Sequence, residues 1–259
     1  MSVRFDLFRS IGIRQIEPYF FVPGVPTQNR ELPSLEPTLI FNTGAPISIV
    51  DASGHVLDVG TGDAFFAGLH RRFCFSRCAG SQSGIHVRLS PQAAIRLLGA
   101  GAAAVADHAV AVRHMPESGL AAALARYGPP DLARPYETVG LLIEEALVEA
   151  PGVSSETSWC INQLQQPGAS VTAIARELGW SRRKIVDRCR DVLGITPKTF
   201  VRIARYRRLL ATLDSAEMSW VDRAIDAGYY DQSHMLRDFA EFTGVSPTAY
   251  CKESGTFVQ

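Results

Sequence analysis

The stretch "GITPKTF" at residues 194–200 returns 50 residues later as "GVSPTAY" at 244–250. Gly194, Pro197 and Phe200 answer to Gly244, Pro247 and Tyr250. Reading backwards from the two glycines lengthens the echo. One copy, "SVTAIARELGWSRRKIVDRCRDVLGITPKTF", starts at Ser170; the other, "SWVDRAIDAGYYDQSHMLRDFAEFTGVSPTAY", starts at Ser219. Ser170, Ala175 and Gly179 match Ser219, Ala224 and Gly228 at an offset of 49, which one inserted residue then turns into 50. Matches on both sides of an insertion mark a duplicated structural unit, and such repeats constrain a fold before other signals do.

Each copy carries helix punctuation. Ser170 and Ser219 have side-chain oxygens suited to an N-cap. Asp222, three residues after Ser219, weakly resembles a capping box. Gly179 and Gly228 supply the positive φ that ends a helix and turns the chain. Ser181 and Asp231 are placed to cap a second helix, closed by Gly194 or Gly244. Helix, glycine turn, second helix is the layout of a helix-turn-helix. Ala175 and Ala224 suit a close helix crossing. Between the copies, "TFVRIARYRRLLATL" sets Phe200, Ile203, Leu210 and Leu213 at helical spacing. The reading predicts helix-turn-helix units over residues 170–193 and 219–243, joined by a linker helix over 198–213.

From about Val153 to Lys252 the chain resembles the DNA-binding domain of the AraC-type (AraC/XylS) transcription regulators. "GYYDQSHMLRDFAEFTGVSPTAY" is similar to that family's second unit, and "LGWSRRKIVDRCRDVLGITPKTFVRIARYRRLL" to its first unit and linker helix. The resemblance implies an all-α double helix-turn-helix over residues 153–259 that binds double-stranded DNA. Charge agrees for the first copy. Residues 181–208 hold ten basic side chains against Asp187 and Asp191, an electrostatic footprint of phosphate binding. Residues 209–259 hold three basic against eight acidic. That acidic excess suggests faces turned to RNA polymerase or to the partner domain.

On the second helix of the first unit, Ile185, Cys189 and Val192 fall on one inward face. Arg182, Arg183, Val186, Asp187 and Arg190 are left outward. By resemblance Arg183, Val186 and Asp187 reach base edges, while Arg182 and Arg190 grip phosphates. Arg183 matches guanine O6 and N7; Asp187 matches cytosine N4. The family often has a basic residue where Asp187 stands and Phe where Cys189 stands, as Phe239 does in the second copy. In the second unit Gln232, Ser233 and Arg237 are the candidate contacts, and His234 reads as half-packed.

Residues 1–152 read as a separate α+β domain, a mainly antiparallel sheet or barrel plus helices, with "APGVSS" at 150–155 as linker. "PTLIFNTGAPISIVDASGHVLDVGTGDAFFAGLH" and "GIHVRLS" read as strands; "PQAAIRLLGAG", "SGLAAALARYG" and "PYETVGLLIEEALVEAPG" read as helices. Leading domains of AraC-type regulators often sense an effector or dimerise, which makes a small-molecule effector and a homodimer expectations here, with no ligand named. His70, Cys74 and Cys78 stand at even spacings that put them on one face of a strand. A redox or metal site is one reading of them; buried thiols is the other.

The 259 residues are 46% hydrophobic and 20% charged, enough to bury a core. Basic and acidic residues balance at 26 each, so net charge singles out no partner. Five cysteines without a disulfide framework suit a reducing cytoplasm. "MSVRFDLFRS" has charges among its apolar residues, unlike a secretory signal, and no apolar run approaches a membrane span. "GSQSG" at 80–84 has Gln82 where a nucleophile elbow needs serine, and no P-loop or HExxH occurs. No cofactor or metal is expected. The sequence therefore reads as a cytoplasmic transcription regulator of the AraC type, with an activator as the expectation. Its rivals are an enzyme with a catalytic N-terminal domain and secondary DNA binding, and an interaction protein that does not bind DNA.

Overall fold

The computed structural model describes residues 11–22, 26–99, 101–115, 118–147, 150–213 and 218–254. The stretch read for a secretory signal, and Asp214 and Glu217 of the acidic excess, lie outside the described residues. Strands dominate the first part: β1 (Ile13–Phe21), β2 (Thr27–Glu31), β3 (Thr38–Asn42), β4 (Ile47–Val50), β5 (Val56–Val59), β6 (Ala64–Ala67), β7 (Cys74–Cys78), β8 (Gln82–Leu89) and β9 (Ala109–Ala111). They form two sheets, β1-β8-β3-β6-β9 and β2-β7-β4-β5. All pairings are antiparallel. Helices α1 (Pro91–Leu98), α2 (Gly101–Ala104), α3 (Gly119–Tyr127) and α4 (Pro135–Leu147) complete this α+β domain.

The period-two alternation of each strand builds two compartments. Leu39, Phe41, Phe66, Ile85 and Val87 point to one side, where they pack with Ala93 and Leu97 of α1, Leu120 of α3 and Leu142 of α4. A bulge at Ile13/Gln15 brings Ile13 and Ile16, three residues apart, to the same buried face. The alternate residues Ile40, Phe65, His86 and Arg88 point the other way. There they meet Ile47, Ile49, Cys74 and Cys78 of the second sheet around a cavity.

The helical part contains α5 (Ser155–Leu164), α6 (Val171–Glu177), α7 (Arg182–Leu193), α8 (Pro197–Ala211), α9 (Trp220–Asp226), α10 (Gln232–Thr243) and α11 (Pro247–Ser254). Each helix-turn-helix helix starts on the expected cap: Ser170, Ser181, Ser219 and Asp231 accept from Ala173, Lys184, Asp222 and His234. Asp222 does not complete a capping box; its carboxylate instead accepts from the Ser219 hydroxyl at 2.7 Å. Ala175 and Ala224 are buried where α6 and α9 cross their partners. The central helix α8 carries Phe200, Ile203, Tyr206 and Leu209, wholly buried, and packs against Phe239 and Phe242 of the second unit. Truncating a wholly buried Phe such as Phe239 costs about 3–5 kcal/mol.

This core does not stop at the helical part. Leu35, Leu69, Ile95 and Ala106 of the N-terminal domain belong to the same cluster. Gln92 Nε2 donates to Asn162 Oδ1 at 2.9 Å, and Arg30 Nη1 to Glu253 Oε2 at 2.8 Å. The two echo glycines are themselves contact points. A methyl built on Gly194 would strike the Ala103 carbonyl oxygen, and one on Gly244 would lie 2.5 Å from the Phe73 ring. The N-terminal domain thus touches both second helices at their C-terminal caps.

Candidate functional site

α7 and α10 are 12 residues each and end on Gly194 at φ 70° and Gly244 at φ 76°. Their inner faces are filled, α7 by Ile185, Cys189, Val192 and Leu193, α10 by Met235, Phe239 and Phe242. Arg182, Arg183, Asp187 and Arg190 are exposed on the outer face of α7, and Val186 is half-buried among them. Arg183 Nε stands 3.6 Å from Asp187 Oδ2, with the side chains 91% and 55% exposed. An ion pair so open to water contributes well under about 1 kcal/mol, so either group is free to leave it for a base edge. In the second unit Gln232, Ser233 and Arg237 are exposed on α10, and Arg237 Nε donates to the Ser233 carbonyl at 3.3 Å. Leu236, exposed between them, went unremarked in the sequence. The repeat offset pairs it with Val186, and that signal was available.

The charge that suggested phosphate binding is partly spent inside the protein. Arg202 donates to Asp238 and Glu241, with its Nη2 2.7 Å from one and 2.6 Å from the other. The hydrogen bond with Glu241 leads in holding the Arg202 guanidinium above its ordinary pKa, and the same bond lowers that of Glu241. Arg188 Nε donates to Thr157 Oγ1, Arg208 Nη1 to the Gln165 carbonyl, and Arg205 reaches His234. Arg207 lines the sheet cavity. Of the ten basic side chains in 181–208, Arg182, Arg183, Lys184, Arg190 and Lys198 are exposed away from the cavity, and Arg207 is exposed at it. Lys184 lies 4.3 Å over the Trp180 ring. The acidic second unit is explained in the same way: Asp238 and Glu241 hold the linker helix, Glu253 holds Arg30, and Asp231 caps α10.

Cys189, where a larger plug was expected, is complemented from outside the repeat. Cys160 of α5 lies in the same core cluster, and both thiols are buried. The neighbouring Cys160 thiol, followed by burial, holds the Cys189 thiol far above its ordinary pKa. His234, read as half-packed, is so: its ring stands edge-on to Tyr229 at 5.2 Å.

The cavity between the sheets has a volume of about 620 Å³. Its apolar wall includes Ile40, Ile47, Ile49 and Phe65; Arg30, Arg77 and Arg88 stand against Glu31 and Glu36 in the charged lining, to which Arg207 of α8 adds a further cation. Arg30 is packed against Phe73 and Phe75, 5.6 Å and 5.8 Å from the ring centroids. Burial pushes the Tyr19 phenol and the Cys74 thiol up to about 12 and pushes His86 down. The sequence placed His70, Cys74 and Cys78 on one strand face. All three do line this cavity, but His70 precedes the strand. Cys74 and Cys78 occupy the two ends of β7, roughly 13 Å apart at a strand rise of about 3.3 Å per residue. That span excludes a disulfide between them, which needs Cα atoms within about 7 Å. Among the described residues no group of three His, Cys, Asp or Glu side chains is arranged to hold a metal. A second cleft, about 520 Å³, lies between the domains, where His70, Arg72, Phe73 and His108 face Thr199, Arg202 and Phe242.

Residues 162–253 match the family described as "Helix-turn-helix domain". No curated protein sequence matches the chain. Among solved structures it is similar to ToxT from Vibrio cholerae, at 10% identity and a TM-score of 0.52, covering 92% of this chain and 97% of that one. It is similar also to wild-type ToxT of Vibrio cholerae strain SCE256 described as unsaturated fatty acid bound, at 9% identity and TM-score 0.50, covering 91% and 94%. A third is ToxT from Vibrio cholerae O395 bound to (E)-4-(8-methylnaphthalen-1-yl)but-3-enoic acid, at 11% and 0.51, covering 92% and 98%. At these identities the likeness is one of fold: a sheet-rich N-terminal domain followed by a helical one. Among the described residues no helix is long and apolar enough to cross a membrane. With two capped helix-turn-helix units and the family match over them, residues 162–253 are a helix-turn-helix domain of the AraC/XylS type, and the chain is a DNA-binding transcription regulator.

Proposed function

We propose that this regulator works in the cytoplasm, without catalysis of its own, and couples DNA reading to a small acidic effector held between its sheets. Arg183, Val186 and Asp187 read base edges from α7, with Arg182 and Arg190 on phosphates. Gln232, Ser233 and Arg237 contact DNA from α10. The observation that carries the effector reading is Arg207. It stands on the helix joining the two reading units, yet it lines the same cavity as Arg30, Arg77 and Arg88 of the sheets. These four cations exceed the two carboxylates of the lining, Glu31 and Glu36, and apolar walls with such an excess suit a carboxylate on an apolar body. The ligands named for the ToxT structures, an unsaturated fatty acid and a naphthyl-butenoic acid, are of that class. Residues 1–152 act as the sensing or dimerising domain and residues 153–259 as the reader, and activation proceeds through RNA polymerase.

The test is calorimetric titration of the full chain with a monounsaturated fatty acid below its micellar concentration, paired with fluorescence anisotropy on a selected operator. One saturable site and a shift in DNA affinity are expected, both weakened at least ten-fold by Arg207→Ala. Saturable binding that leaves DNA affinity unchanged would refute the coupling. Absence of binding by any apolar carboxylate would refute the effector class.

A further inference from the structure

The two reading helices align through the 50-residue offset. Arg182 falls on Gln232, Arg183 on Ser233, Val186 on Leu236, Asp187 on Arg237 and Arg190 on Ala240. At four of these five places the chemistry changes between the copies. At one it is kept: Val186 and Leu236 are both aliphatic. Neither is needed to fill the core. Met235, Phe239 and Phe242 close the inner face of α10 at 1% exposure or less, while Leu236 stands 38% exposed on the other side. Val186 is half-buried on the outer face of α7, one residue before Asp187.

A single exposed leucine on a protein surface is ordinary. An aliphatic side chain kept at the same step of two reading helices, flanked in each by changed polar partners, is more specific. In the major groove the apolar feature that a base pair offers is the 5-methyl group of thymine. We infer that Leu236 packs on a thymine methyl in the second half-site and Val186 on one in the first, so that both are specificity-determining residues. The inference rests on the regulator reading above and adds a base identity to it. It also sets the operator's form. Two recognition helices on one face of the duplex stand about one helical turn apart, so the two thymines fall about 10 base pairs apart. Around them the half-sites differ, because Arg183 and Asp187 flank one methyl contact and Ser233 and Arg237 the other. The operator is an unequal tandem with a shared thymine, not a palindrome read by one chain.

The experiment uses the full chain. An operator is selected from a random duplex pool, and each thymine in it is replaced singly by deoxyuridine, which deletes one methyl group. Two thymines about 10 base pairs apart should each lose about three- to four-fold in affinity on replacement, the size of one buried methyl. Leu236→Ala should abolish the uracil effect at one of them only, and Val186→Ala at the other only. Leu236→Val, which keeps an aliphatic contact, should retain the effect and shows that loss in Leu236→Ala is not unfolding. An operator whose second half-site tolerates uracil everywhere overturns the inference, as does a Leu236→Ala chain that stays sensitive to uracil at both thymines. A chain that selects no sequence at all overturns the regulator reading and this inference together; a selected operator indifferent to uracil overturns this inference alone.

Discussion

Gly194→Ala tests whether the N-terminal domain clamps the first reading helix. Two costs add at this position. Gly194 has φ 70°, and an alanine there pays about 1–2 kcal/mol for the left-handed conformation. Its methyl group would also strike the Ala103 carbonyl oxygen and the Ala106 methyl, backbone and a short side chain that cannot swing aside. Overpacking of this kind costs about 1–3 kcal/mol more. Gly179→Ala is the control, because its φ is 63° and nothing lies within 4 Å of the added methyl. Urea unfolding of the full chain should therefore show about 1–2 kcal/mol lost in Gly179→Ala and about 2–5 kcal/mol in Gly194→Ala. A parallel pair probes the second helix. Gly244→Ala meets the Phe73 ring, and Phe73→Ala should recover part of its loss, whereas Phe73→Ala in a Gly228→Ala background should recover none. Equal losses in Gly179→Ala and Gly194→Ala would refute the clamp, since they would mean that the domains part at no cost.

Four outward cations in α7 with Lys198 bound the first unit's share of phosphate contacts, so log affinity should fall with log salt at a slope no steeper than about −4 to −5 from that unit, rather than the −9 that ten cations would give. Arg183→Ala should cost about 1–3 kcal/mol and relax preference at one base pair, and Arg237→Ala should cost less on the same operator; the reverse order, measured by anisotropy across a salt series, would make the second unit the main reader. Arg202→Ala leaves the Asp238 carboxylate, 5% exposed, without its countercharge, and urea unfolding should show a loss of about 2–3 kcal/mol. Burial, with His108 nearby, depresses the His70 pKa against the pull of Asp107 and Asp51. Its contribution to stability is complete above about 6.5 and declines as pH falls through that value toward the folded pKa. Urea midpoints at pH 7.5 and 5.5 should differ less in His70→Asn than in the parent.

The repeat was legible because its signals are local. N-caps, positive-φ glycines and the inward triplets of each reading helix depend on residues within one or two turns, and Ser181, Asp231, Gly194 and Gly244 act in the structure as their types dictate. α5 and α11 were not drawn from the sequence: α5 lies outside the repeat, although Cys160, Ile161 and Leu164 stand at helical spacing, and α11 starts at Pro247 in the second echo as α8 starts at Pro197 in the first. The strands were legible as strands, but their assembly into two sheets around a cavity was not, because pairing of β3 with both β6 and β8 is set by long-range register. The least legible property was where charge goes. Arg202, Arg205, Arg207 and Arg208 sit among the basic residues of a reading unit in the sequence, yet α8 is the central helix of the domain, so its cations turn toward the second unit and the sheet cavity. Counting charge along a chain averages over faces that a helix separates every three or four residues.

That separation explains why a duplicated unit diverged so far in charge while keeping its caps. The caps close helices and, at Gly194 and Gly244, also provide the small surfaces on which Ala103 and Phe73 rest. A side chain there would be paid for twice, in backbone strain and in domain contact. The outer positions carry no such double duty, so Arg183 and Asp187 in one copy stand where Ser233 and Arg237 stand in the other. Asp238 and Glu241 were placed under a different constraint: they face Arg202 of the linker helix, two residues past the end of the first copy. The linker helix therefore fixes the second unit by charge, and through Arg207 it also reaches the cavity of the N-terminal domain. A ligand changes an equilibrium only by touching its two states differently. An occupant of that cavity in contact with Arg207 meets this condition, since parting the domains takes the guanidinium away from it. Occupancy should then favour the docked arrangement that holds both reading helices by their caps, and Arg207→Ala should remove that preference while leaving the caps in place.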